Sequence, residues 1–148
     1  MGAETLLREL PGDAGLTLEI VSGTEHWRGG EIALTVDGAG GADVRHRRAG
    51  EERHYRGTLD RPALEALIGR LRESGLDAER PRRTVYEPDE HSVTLALRRG
   101  DEELYAVAIP EGDRHDDDRL DALLGEYERL VAQLTDGALP FGEAAAPR

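Results

Sequence analysis

The chain has no cysteine, lysine or asparagine, and only one methionine, one tryptophan and one phenylalanine. Without cysteine there is no disulfide, no thiol nucleophile and no thiolate zinc site. Without lysine there is no Walker-type phosphate loop and no Schiff-base amine. The serines are Ser22, Ser74 and Ser92, and none stands in a GxSxG context. No segment approaches the ~20 consecutive apolar residues of a membrane-spanning helix. The start, MGAETLLRELPG, lacks the basic head and long apolar run of a signal peptide, and Leu6 stands where N-acylation of Gly2 requires Ser or Thr. These absences lead to the expectation of a cytoplasmic protein that is not an enzyme, has no catalytic residues, no metal and no cofactor, and stays off membranes.

Acidic residues outnumber basic ones, 31 to 19, for a net charge of −12. A surface of that sign repels nucleic acid and anionic lipid and favours a basic partner. Every cation except histidine is an arginine, amid abundant Ala, Gly, Asp and Leu, a bias that reads as GC-rich bacterial coding. A length of 148 residues suits one domain, 1–148, with a core of its own.

Apolar residues alternate at Leu16, Leu18 and Ile20 and again at Ile32, Leu34 and Val36, the period of a half-buried strand. The glycines of DGAGGA (37–42) suit a reversal into a third strand, GADVRHRR, and RAGEE turns into a fourth, RHYRGTL. A helix follows, capped by Asp60, with Pro62 in its first turn, Leu64, Leu67, Ile68 and Leu71 on one face, and Gly75 as its stop. Val93, Leu95 and Leu97 and then Tyr105, Val107 and Ile109 alternate about RGDE as a hairpin that Pro110 ends. Leu120, Leu123, Leu124, Tyr127, Leu130, Val131 and Leu134 stripe a second helix, closed by Gly137. The fold class predicted is α+β, an antiparallel sheet of about six strands with two helices packed on one face as a two-layer sandwich. Residues 1–14 and 138–148 are expected to be flexible ends.

The run EGDRHDDDRLDALL (111–124) sets His115 beside Asp116, Asp117 and Asp118. A calcium loop needs alternating oxygen ligands, an internal glycine and a closing glutamate, and this run lacks that pattern. Aspartates are favoured where unpartnered N–H groups begin a helix, so Asp116 or Asp117 reads as an N-cap. His26, His46, His54 and His91 show no paired ligand spacing. RHRRAGEERHYR, the one basic stretch, offers Arg45, Arg47, Arg53 and Arg56 as an anion site, since guanidinium groups fork around phosphate or carboxylate. The competing reading is a charged edge hairpin that resists aggregation.

Two loops suit a partner better. SGTEHWRGG places Trp27 among polar residues beside Glu25 and His26, and tryptophan is enriched among interface hot spots; the ring folded back over the sheet is the structural alternative. LDAERPRRTVYEPDEHS is longer than the usual connection and carries Tyr86, Asp89 and Glu90.

The succession SGTEHWRGGEIALTVDG, LDRPALEALIGRLRESGLDA, EHSVTLALRRGDEELYAVAI and DRLDALLGEYERLVAQL resembles a group of small bacterial domains that includes the emfourin-like inhibitors of thermolysin-type metalloproteases. The resemblance spans roughly residues 16 to 135 and rests on pattern. It implies a protein-binding domain without catalysis, an inhibitor or immunity-type partner. The extra basic hairpin and Thr24, Glu25, His26 and Trp27 in the first loop depart from the group, so no inhibitory residue is carried over.

The sequence is therefore expected to encode an acidic protein-binding domain that docks a basic or catalytic protein through Trp27, His26, Glu25, Tyr86, Asp89 and Glu90. The alternative is an anion or small-ligand sensor centred on Arg45, Arg47, Arg53 and Arg56. A third reading is a subunit of a larger complex, with Leu139 and Phe141 as an interaction tail.

Overall fold

The computed structural model describes residues 3–23, 30–74 and 92–138. The elements in chain order are α1 (Ala3–Glu9), β1 (Leu16–Ser22), β2 (Glu31–Asp37), β3 (Gly41–Arg48), β4 (Glu51–Thr58), α2 (Arg61–Glu73), β5 (Ser92–Arg99), β6 (Glu102–Pro110), a 3-10 turn (Glu111–His115) and α3 (Asp118–Leu134). The fold is α+β, a six-stranded antiparallel sheet with three helices.

The strand order is β4-β3-β2-β1-β5-β6, every neighbouring pair antiparallel. The first four strands form the meander that alternation and the glycine-bearing turns predict. The chain then passes through α2 and returns to the free side of β1, where Leu18 lies opposite Leu97 and Ile20 opposite Leu95. The later hairpin thus extends the same sheet.

Register sorts the side chains by face. Leu16, Leu18 and Ile20 of β1, Leu34 and Val36 of β2, Val44 of β3, and Leu95 and Leu97 of β5 are all buried. They share one core with Leu64, Leu67 and Leu71 of α2 and with Leu120, Leu123, Leu130 and Val131 of α3. Each fully buried side chain of this size contributes about 1.5–3 kcal/mol, so the apolar alternation and the two helical stripes are what hold the elements together. Asp60 caps α2 as read from the sequence, its carboxylate accepting from the Ala63 amide at 2.9 Å. No helix among the described residues is long and apolar enough to cross a membrane.

The expectation of two helices is corrected by a third. In α1, within the stretch read as a flexible end, Leu6 and Leu7 are buried, as is Leu10 just after it. A helix of seven residues is too short to persist alone, so its packing against α2 holds it. The Arg72 guanidinium reaches Glu4 at 2.7 Å and holds that carboxyl below the usual carboxylate range.

The loop from α1 to β1 is docked on the β2–β3 turn. The Gly12 amide donates to the Gly38 carbonyl (2.8 Å), and the Gly38 amide donates to that of Asp13 (3.1 Å). The turn itself is shaped by Asp37, whose Oδ1 accepts from the amides of Ala39 and Gly41. A Cβ at Gly38 would run into the carbonyl oxygens of Leu10 and Asp13, so only glycine lets the two segments meet. Arg99 of β5 then ties in Asp13 at 2.9 Å, and that hydrogen bond lowers the Asp13 pKa.

Two outcomes follow. Gly38→Ala should lower the unfolding free energy by about 1–3 kcal/mol in a urea titration, because backbone must move to admit the methyl group. Because the Asp13 pKa is depressed in the folded state, the stability it adds is complete above its ordinary value of 3.8 and is lost as pH falls through the depressed value. The melting-temperature gap between parent and Asp13→Asn should therefore close on acidification below that range.

Candidate functional site

The strand ends that flank the two segments singled out from the sequence lie at one end of the sheet. Ser22, the last residue of β1, lies opposite Ile32, and Val21 lies opposite Thr94 of β5. The strand ends that flank residues 24–29 and 75–91 are therefore neighbours across three adjacent strands. Glu25, His26, Trp27, Tyr86, Asp89 and Glu90 themselves lie outside the described residues, as does His91.

Tyr127 of α3 anchors this end from beneath. The residue is 2% exposed. Its hydroxyl donates to the Ile32 carbonyl at 3.1 Å and lies 2.7 Å from Ser22 Oγ. A tyrosine hydroxyl has one proton, so with that proton on the carbonyl the serine must donate to the tyrosine. The bonds pin the end of β1 to the start of β2, the two points between which the Trp27 segment runs. Ser22 thus serves as a hydrogen-bond partner of α3. Sequence reasoning placed Tyr127 on the apolar stripe without assigning its hydroxyl. The available signal was a polar tip on a stripe otherwise made of aliphatic residues, since a buried hydroxyl needs a partner.

The acidic run lies at the same end, after β6. Asp117 is the N-cap of α3, its Oδ1 accepting from the amides of Arg119 (3.1 Å) and Leu120 (3.2 Å). Arg114, only 17% exposed, forks onto Glu128 with bonds of 3.1 and 2.9 Å and donates through Nε to Asp121 at 2.7 Å. The Glu128 bonds, with those to Asp121, raise the arginine pKa well above its ordinary value. Arg114 thereby clamps the 3-10 turn to α3. Two of the acids near this junction are thus spent on an internal cation and a third on a helix terminus. Among the described residues no group of three or more His, Asp or Glu side chains is arranged to hold a metal ion.

The basic hairpin divides its arginines between faces. Arg45 and Arg47 of β3 share a face with Arg56 of β4, because Asp43 pairs with Arg56, Arg45 with His54 and Arg47 with Glu52. Arg53 pairs with His46 and so points to the other face. The three arginines that do share a face meet carboxylates there. Arg45 bonds Glu31 at 3.0 Å, Arg47 lies 3.9 Å from both Glu31 and Glu52, and Arg56 lies 3.7 Å from Asp43. His54 bridges Asp43 and Glu52 at 3.2 and 3.4 Å. Glu31, contributed by β2, was not foreseen in this lattice, because the sequence does not show that β2 flanks β3 with this register. An added anion would have to compete with carboxylates already in place at Arg45, Arg47 and Arg56, and Arg53 faces away from these three.

No protein-family model matches this chain, and no curated protein sequence does. Functional assignment therefore rests on its own residues.

Removing Arg114 leaves Glu128 and Asp121 facing one another without a cation. Arg114→Ala should cost about 1.5–3 kcal/mol in chemical denaturation, the range for hydrogen bonds to charged groups. Asp117→Ala should cost about 1 kcal/mol as a lost cap. Added calcium should leave the melting temperature of the parent unchanged, and a rise with calcium concentration would contradict the capping role.

Proposed function

We propose that this chain is a protein-binding domain that does not catalyse a reaction, and that it docks a basic or catalytic protein as an inhibitor or immunity-type partner. The observation that carries the reading is the convergence of strand ends. β1 ends at Ser22 and β5 begins at Ser92 on adjacent strands, and these residues flank the Trp27 and Tyr86 segments. β6 ends beside them at Pro110, just before the acidic run that leads into α3. Loops presented together at one end of a rigid sheet are a common way to build a recognition surface. The net charge of −12 supports a basic partner, because like charges exclude acidic competitors and opposite charges speed encounter.

In this reading the helices form one layer against the sheet face that carries Leu18, Leu34, Val44 and Leu95. Its support is the common core these residues share with α2 and α3, and the bond from Tyr127 to the Ile32 carbonyl. The reading also includes a bacterial cytoplasmic setting and the kinship in pattern with emfourin-like inhibitors. It includes the absence of nucleic-acid binding, consistent with the charge.

The test is capture of partners from bacterial lysate with the tagged full chain, at low and at moderate salt, read by mass spectrometry. A stoichiometric partner with a basic surface or an active-site cleft, released by salt, is the expected result. Trp27→Ala should weaken that capture markedly while the far-ultraviolet spectrum and melting temperature hold. Equal capture by parent and variant would remove Trp27 from the interface, and recovery of the bait alone would overturn the protein-binding reading.

A further inference from the structure

The two edges of the sheet are built differently. β4, at one edge, reads EERHYRGT and carries a charged or ionisable side chain at Glu51, Glu52, Arg53, His54 and Arg56. Such a row discourages another strand from pairing. β6, at the opposite edge, is the longest strand in the sheet and has no charged residue from Leu104 to Pro110. Among the described residues no strand flanks it on the side away from β5.

A register shift between Leu97 and Arg98 interrupts the start of β6. Beyond it the pairing runs regularly from Tyr105 opposite Leu97 to Pro110 opposite Ser92. Pro110 has no N–H and sets the far limit. On one face of this run, Ala106 and Ala108 are small and exposed. A regular, uncharged edge with small side chains is suited to accept an added strand, whose main chain supplies affinity and whose alternate side chains supply choice.

Acids flank this run at both ends. Asp101 and Glu102 are exposed where β6 begins, and Asp116 and Asp118 are exposed where the 3-10 turn after β6 leads into α3. This arrangement disfavours a second copy of the chain. Antiparallel pairing of two β6 strands would bring the acids at one end toward the partner's acids at the other, and parallel pairing would also align like charges.

We infer that β6 is an acceptor edge for an extended segment of a basic protein, which adds as a seventh strand and places arginines or lysines at both ends of an uncharged middle. This deepens the protein-binding reading and rests on it, adding a main-chain contact at β6 to the one proposed at Trp27.

The experiment uses the full chain and a synthetic peptide that alternates valine and threonine and carries an arginine pair at each end. Amide hydrogen exchange is followed by NMR with and without peptide. The alternate β6 amides directed away from β5 should exchange rapidly in the free protein and become protected on binding, with β4 unchanged. Ala106→Lys combined with Ala108→Lys changes only exposed positions and should weaken binding about tenfold or more through repulsion. Replacing the arginines of the peptide by glutamates should abolish binding.

Protection of those amides in the free protein, protection at β4, no protection on adding peptide, or equal binding of the acidic peptide would each overturn the acceptor-edge proposal. None of these results bears on the lysate capture. Conversely, capture of the bait alone would overturn the broader reading even if the peptide binds β6.

Discussion

β1 pairs on both sides, with β2 across one edge and β5 across the other, and that double pairing joins two otherwise separate ladders. Its Leu16, Leu18 and Ile20 are buried in the middle of the core, within reach of both halves of the chain. A four-stranded meander and an isolated hairpin would each leave an apolar face open to water, and a lone hairpin is marginal. Once β5 is seated on β1, the face carrying Leu95 and Leu97 becomes continuous with that carrying Leu34 and Val44, and these residues share one core with α2 and α3.

The two ends of the sheet are closed by different means. At the end where β1 begins, backbone contacts through Gly38 and the ion pair between Asp13 and Arg99 gather the α1 loop, the β2–β3 turn and β5. At the other end, Tyr127 holds the tip of β1 against the start of β2, and Arg114 fixes the turn after β6 to α3. The second end is the one from which the long connections leave. Hydrogen bonds from Tyr127 to Ser22 and to the Ile32 carbonyl, the latter buried, fix the strand ends there.

Charge is used in two distinct ways. On the β2–β3–β4 face, arginines and carboxylates alternate so closely that they neutralise one another, and exposed pairs of this kind add little stability while keeping an edge hairpin soluble. Around β6 the charges stand at the ends of the strand and leave its middle bare. The same composition therefore gives one edge a row of charges and the other an uncharged middle.

Much of the fold was legible because its signals are local. Alternation marked β1, β2, β5 and β6, the stripe of leucines marked α3, and Asp60 marked the start of α2. The segment α1 escaped because seven residues contain too few turns to show a period, and its leucines acquire meaning only when buried against α2. Arg45, Arg47, Arg53 and Arg56 looked like one cluster in the sequence, yet pairing of β3 with β4 sends Arg53 to the opposite face. The carboxylate that bonds Arg45 comes from β2. The sequence by itself determined which residues alternate and that Asp60 caps α2, since each depends on neighbours a few positions apart, and its composition determined the sign of the charge. Only the tertiary structure decided that β5 joins β1, that Glu31 meets Arg45, and that β6 is an edge among the described strands. These depend on contacts between residues distant in the chain, for which short-range periodicity carries no information.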